Sequence, residues 1–549
     1  MNQTKINIGH GGSLSIENCS FARIQGLYPS LQVSGSSATI RIVDSHFEDE
    51  QAGVLLDISA DRSTLALSSV TVQSAAPRKT EIIRDVLAQV VGIRLALDDT
   101  RATLTAARIQ WCGQGGIAFA GANSRLSIHH SQLVGNHAWE SGGALSVRGP
   151  GNAVELVGCT VRGGLADYDG GGIALEGDDC SLLLRGSSLL RNQAGNYGGL
   201  VAFRGARGRL ALEGCNVSDN LVYSADGGAV FMDSGNGTLA VVGSALTGNI
   251  CIGMGGALAV STGEVLLSRS RFASNNAATG GGAAVDAPNA SIAGCNFTGN
   301  TARAADGGAL HFTHDGDGVA LLYVGASLFR SNSAVNGGAI AIFATCAVSV
   351  VNSSLTSNVA QRAGGGLFLV GAGAGTGLDY ARFDVHRTTI EGNTALDGAG
   401  GGLSLVGGAM NISATTFREN TAVVGGGGIA VSGSPSGPGM QGWVIEGSTF
   451  AGNEALVDGS GGAILLANLS MVRRLVGQGG GLPFAFTPSG DVGCRGTGDI
   501  RDLRVLAFDA ANGSTTVPWL RDGNADQAGM FNLSNPLGLI VAVSLDASI

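Results

Sequence analysis

Apolar positions along most of this chain alternate with polar ones in short runs, and each run ends in a turn of small residues. The stretch "CNFTGNTARAADGGALHF" (Cys295 to Phe312) shows the unit: a small residue, an apolar slot, an Asn three residues later, then Gly-Gly and a strand such as "GGALHF". The apolar slot is filled by Leu133, Val161, Leu189, Val217, Leu246, Phe272, Phe297, Phe329, Leu355, Ile390, Phe417 and Phe450. The Asn slot is filled by Asn136, Asn192, Asn220, Asn249, Asn275, Asn300, Asn332, Asn358, Asn393, Asn420 and Asn453, with Gly164 standing in it once. Alternation of period two predicts strands, and no amphipathic helix fits between them. A unit of about 28 residues with two or three short strands predicts one coil of a parallel β-helix, a solenoid whose coils stack at the ~4.8 Å strand spacing. The fold class expected is therefore all-β: a right-handed, single-stranded parallel β-helix of twelve or more coils, with a short β-rich segment at the C-terminal end.

Each recurring residue has an expected task. The Asn column should form a structural ladder, with the Asn in the left-handed conformation at a turn and its amide bonded to the neighbouring coils. Gly-Gly should supply a corner where a Cβ would collide. The regular repeats are expected over 109–470. Residues 1–108 should hold degenerate coils, with a helical insertion or cap near 79–92, where Ile82, Ile83, Val86, Leu87, Val90 and Val91 have helical spacing. Residues 471–549, where the phrase stops, should be a β-sandwich-like or capping segment.

The dense iteration of a small-x-apolar-x-x-Asn phrase with "GGAL" or "GGAI" resembles the paired repeats of the polymorphic outer-membrane protein family, from about Ile109 to Leu466. That resemblance implies a β-helical passenger displayed at the cell surface, with an adhesive role. The start, "MNQTKINIGHGG", has no apolar signal core, and the tail, "VSLDASI", lacks the terminal aromatic of an autotransporter barrel, so the chain reads as a fragment of a longer protein.

Composition changes the picture in four ways. Gly reaches 91 of 549 residues without the collagen period, as a repeat rich in corners requires. A net charge of −10, with no basic run among aromatics, argues against nucleic acid, and no apolar run reaches the ~18 residues of a membrane-spanning helix. Eleven N-x-S/T sequons, among them Asn216, Asn236, Asn296, Asn352 and Asn411, favour a secreted glycoprotein. Of the nine cysteines, Cys159, Cys215 and Cys295 share the small slot, and Cys180 and Cys346 share another column. Two or three coils apart, roughly 10 and 14 Å, the first three are too distant for disulfides and read as buried small hydrophobes.

Candidate chemistry is sparse. Asp178-Asp179 resembles the aspartate pair of polygalacturonases, and His10 lies in "GHG", but the order is reversed and five coils put them ~25 Å apart. Asp226 and Asp306 should sit three coils apart. Glu391 and Glu419 lie on adjacent coils with no basic partner evident in the repeat. "HFTHDGDG", with His311, His314, Asp315 and Asp317, matches no calcium loop and reads as a solvated turn. No metal, cofactor or catalytic residue is expected. Three coils carry longer turns after the same strand, "THDGDG", "GAGAGTGLD" and "GSPSGPGMQGW", which should emerge on one edge. Insertions on one face of a repeat protein mark a binding surface, so His314, Asp315, Asp317, Asp379, Tyr380 and Trp443 are the expected contacts. The function expected is a non-catalytic extracellular adhesion scaffold, a monomeric solenoid binding a glycan or protein surface. The alternative is a carbohydrate-active β-helix enzyme: a polysaccharide lyase, hydrolase or epimerase.

Overall fold

The structure, a computed structural model, describes residues 4–22, 29–49, 54–74, 91–314, 316, 318–371, 381–432, 443–456 and 462–467. It also describes the backbone of strands at 472–480, 484–486, 492–494, 498–507 and 540–543. The fold is a right-handed parallel β-solenoid of about 14 turns, and the regular elements among the described residues are all strands. Its contacts group into two units, Met1–Ala278 with Gly282–Val285, and Thr279–Gly281 with Asp286–Ile549.

A full coil in the first unit runs through four strands: Leu145–Arg148, Ala153–Val157, Thr160–Arg162 and Leu165–Ala166. Each pairs in parallel with its counterpart 28 residues on, Leu145 with Ile173, Ala153 with Ser181, Thr160 with Ser188 and Leu165 with Gln193. Inward residues such as Val154, Leu156, Val161 and Val147 are buried, and their neighbours face out. In the second unit the apolar slot stacks like on like: Phe297 lies on Phe329 and Phe417 on Phe450, with ring centroids 4.9 and 4.8 Å apart. That separation is the strand spacing itself, so a flat side chain repeated at one slot fills the core without a void.

Two corners of the coil are built alike. A residue in the left-handed region is followed by a polar residue whose side chain turns inward. At the ladder corner the left-handed residue is the one before the Asn, for example Arg191 (φ 54°), Asp219 (57°) or Ser331 (54°). This corrects the expected placement of the Asn itself in that region. The Asn keeps an ordinary φ because the residue before it makes the turn, and both its backbone and its side chain then bond to the neighbouring coils. At the other corner Gly186, Gly214 or Ala326 is left-handed, followed by Ser187, Cys215 or Ser327. There a hydroxyl column runs coil to coil: the N–H of Cys215 donates to Ser244 Oγ (3.0 Å) and that of Ser244 to Ser270 Oγ (3.1 Å).

The two glycines of the Gly-Gly have separate reasons. Gly227 has φ 73°, where a side chain is strained, whereas a Cβ on Gly228 would strike the carbonyl oxygen of Gly256 and the backbone of Ile250 in the next coil.

The earliest coils, such as Leu31–Ser36, Thr39–Val43 and His46–Asp49, use the same three longer strands. The expected helix near 79–92 lies outside the described residues except for Val91 and Gly92, which open the strand Val91–Asp98 and are therefore not helical. In the second unit the parallel stack gives way to antiparallel pairing. Gly498–Ala507 runs antiparallel to both Trp443–Ala451 and Val472–Gly480, and Val492–Cys494 runs antiparallel to Ile464–Ala467. These pairings cover strand edges that would otherwise template association.

Candidate functional site

Of the contacts expected on the long-turn edge, Trp443 and His314 fall within the described residues. Trp443 is 2% exposed, stands in register with the inward Met410, and donates its indole N–H to Gly408 O at 2.9 Å. It is a core residue with its one polar atom satisfied, which corrects its assignment as a ligand contact. His314 ends the strand Leu310–His314 with its side chain 12% exposed and Nδ1 3.6 Å from Asp286 Oδ1. Asp315, Asp317, Asp379 and Tyr380 lie outside the described residues.

The carboxylates singled out in the sequence are bonded between coils. Asp179 takes a bidentate grip from Arg207 (2.7 Å twice), which holds its carboxyl below the usual range, and Asp178 accepts the N–H of Ala206 at 2.8 Å. Asp226 accepts the N–H of Met254 (2.6 Å), and Asp306 accepts both nitrogens of Asn336. Glu391 and Glu419 do have a basic partner: Arg418 Nε lies 3.4 and 3.1 Å from them. Arg418 directly precedes Glu419 and stands in register with Glu391, so the repeat itself places the cation between the two carboxylates, which corrects the expectation of no basic partner.

His311 is packed against Phe343 with ring centroids 5.4 Å apart; burial pushes its pKa down to about 4, opposed by the charge of Asp306. Its Nδ1 is buried without a hydrogen-bond partner. Cys112, Cys159, Cys180, Cys215 and Cys346 carry free thiols, and burial pushes all of them up, Cys112 and Cys346 to about 12. Thiols held protonated are poor nucleophiles and metal ligands. Among the described residues no group of three His, Cys, Asp or Glu is placed to hold a metal ion.

The most distinctive surface is elsewhere, on the turn between the Asn ladder and Gly-Gly in the first unit. Trp139 (45% exposed), Tyr168 (57%) and Tyr223 (51%) stand on it, joined by exposed Leu165, Ile250, Ile252 and Met254, with Trp111 (52%) one coil earlier. Backbone bonds fix the columns. Asp167 N–H donates to Ala138 O, Gly195 N–H to Ala166 O and Tyr223 N–H to Ala194 O, so Trp139 and Tyr223 share a column. Three coils separate them, about 14 Å at the strand spacing. Tyr168 occupies the next column on the coil after Trp139, where its N–H donates to Glu140 O. Two of the rings reach to a neighbouring coil. Trp111 covers the Cα of Gly135 in the next coil, and Tyr223 reaches back to donate its hydroxyl to Gln193 Oε1 (2.7 Å).

Beside this edge, the outward face of the strands after Gly-Gly carries ion pairs. Arg148 bridges Glu140 (2.6 Å) and Glu176 (3.7 Å), while Arg204 binds Asp169 and lies over the Tyr197 ring. Sequence reasoning missed this edge because its rings fall in different columns. The available signal was compositional: two of four Trp and three of six Tyr lie between residues 111 and 223.

Residues 212–383 match the family described as the right handed beta helix region. No curated protein and no solved structure matches the chain. No helix among the described residues is long and apolar enough to cross a membrane.

Proposed function

We propose that the protein is a non-catalytic scaffold of the cell surface or extracellular space, attaching through the turn edge around Trp139, Tyr168 and Tyr223. The observation that carries this reading is the exposure of these large rings on nearby coils, while the carboxylates singled out in the sequence are engaged by neighbouring residues. Exposed contiguous apolar surface on a folded protein marks an interaction site. The resemblance of the repeat to polymorphic outer-membrane proteins supplies the surface location, and exposed sequon residues Asn216, Asn236 and Asn352 suit it.

A second reading, a carbohydrate-active enzyme, is favoured by one observation. Glu140 and Glu176 share Arg148 on the outward strand face, and paired carboxylates with a cation are the materials of glycoside chemistry. One comparison separates the two readings. The purified chain is incubated with whole cells, cell-wall preparations and soluble polysaccharides, and both retention and product release are measured. Retention without new reducing ends or unsaturated products supports the scaffold. Turnover that Glu140→Gln or Glu176→Gln abolishes would replace it with the enzyme.

A further inference from the structure

The geometry points to an extended, uncharged polysaccharide as the occupant of the Trp139–Tyr223 edge, lying along the solenoid axis; this rests on that edge being the attachment surface. Three features select the class. First, the rings are spread along the axis and not gathered in a patch. Trp139 and Tyr223 share a column and Tyr168 stands one position aside, so three of four consecutive coils carry a ring over about 14 Å at the strand spacing, with Trp111 one coil earlier and four positions to the side. Protein partners concentrate their anchors at the centre of an interface, whereas a linear polymer meets successive flat faces, as bases do on aromatic platforms.

Second, polar side chains lie among the rings: Gln193, which accepts the Tyr223 hydroxyl, and Asn196, which accepts from Ser224, stand on the coil between those of Tyr168 and Tyr223. An amphipathic ligand with apolar faces and a polar rim matches this alternation. Third, the local charge rejects anions. Four carboxylates, Glu140, Asp167, Asp169 and Glu176, face two guanidinium groups, Arg148 and Arg204, so the local charge is net negative. Nucleic acids and uronate polymers would meet repulsion here.

The test is native affinity electrophoresis of the full chain in gels containing a neutral polymer (hydroxyethylcellulose, a mixed-linkage glucan, a galactomannan or a xylan) or an anionic one (polygalacturonate or hyaluronate). Retardation by at least one neutral polymer and by neither anionic one is expected. The Trp139→Ala/Tyr168→Ala/Tyr223→Ala variant should bind at least about tenfold more weakly, because the contacts act together. Retardation by the anionic polymers alone overturns the proposal. So does a wild-type dimer that the variant converts to monomer in sedimentation, since the edge would then receive a second copy. If no neutral polymer retards the chain while cell attachment still requires the three rings, the ligand class is wrong and the attachment edge stands. If attachment is indifferent to the three rings, the edge itself is wrong.

Discussion

Asn192 and Asn220, 28 residues apart in sequence, are joined twice: the backbone N–H and the side-chain Nδ2 of Asn192 both donate to Oδ1 of Asn220, at 2.9 and 3.0 Å. Asn220 repeats the arrangement with Asn249, and each Nδ2 also donates to a carbonyl of the preceding coil, Val161 O for Asn192 and Leu189 O for Asn220. Every polar atom of the amide is thereby used in a fully buried place. At the Gly164 coil the side chain is missing, yet Asn192 Oδ1 still accepts the Gly164 N–H at 2.9 Å. The gap removes the side-chain oxygen toward which Asn136 would donate, while Asn136 Nδ2 keeps its bond to Ile109 O at 3.0 Å.

Asn220→Ala should therefore destabilise the chain by about 1–3 kcal/mol, the cost of leaving buried partners unsatisfied. Asn216→Ala, an exposed position four residues earlier, should change stability by less than about 0.5 kcal/mol. Urea unfolding of both variants, made in a host that does not glycosylate, checks this; equal midpoints would contradict the ladder's role.

Gly228→Ala and Gly214→Ala separate steric from conformational need. A Cβ on Gly228 meets the backbone of the next coil, while Gly214 (φ 59°) has open space. The first should cost at least about 3 kcal/mol, because backbone cannot yield as a side chain does, and the second roughly 1 kcal/mol of left-handed strain. A Gly228→Ala protein as stable as Gly214→Ala would refute the corner geometry.

Phe329→Ala removes one ring from the stack on Phe297 and should cost about 3–5 kcal/mol. Because a coil contacts only its neighbours, amide exchange should accelerate around residues 296–298 and 354–356 and not near Leu133. Uniform acceleration through the chain would contradict a nearest-neighbour solenoid.

Stability should fall on both sides of neutrality. His311 is held neutral with its pKa lowered to about 4, so its contribution is present above the unfolded value of 6.5 and is lost as pH falls from there through 4. The thiols of Cys112 and Cys346 are raised from 9.0 to about 12, so their contribution is present below 9 and is lost as pH rises through 12. His311→Gln should flatten the acid limb by no more than about 3 kcal/mol, measured as the urea midpoint against pH. An unchanged acid limb would place His311 in water.

The coil, its strands and the ladder were legible because one phrase recurs and each slot carries the same physical demand. Asn at a buried corner and Gly beneath a neighbouring carbonyl cannot be exchanged freely, so they mark themselves. What failed to show was direction. The left-handed residue beside the ladder varies from Arg191 to Gly248, since only its backbone is used. Trp443 looked like a loop tip because it follows a long insertion, although its register with Met410 places it in the core. Glu391 and Arg418 meet only once the strands are stacked. The rings of the turn edge occupy no fixed slot, so the repeat conceals them.

The most direct test of the account is hydroxyl-radical footprinting of the chain, free and attached to the cells or wall material that retain it. Oxidation of Trp111, Trp139, Tyr168, Tyr223 and Met254 should be high in the free protein and strongly reduced on attachment, while Trp443, buried in both, stays unmodified. If these side chains oxidise equally in the two states while protection appears at Tyr323 or along the long turns, recognition lies off this edge and the central claim fails.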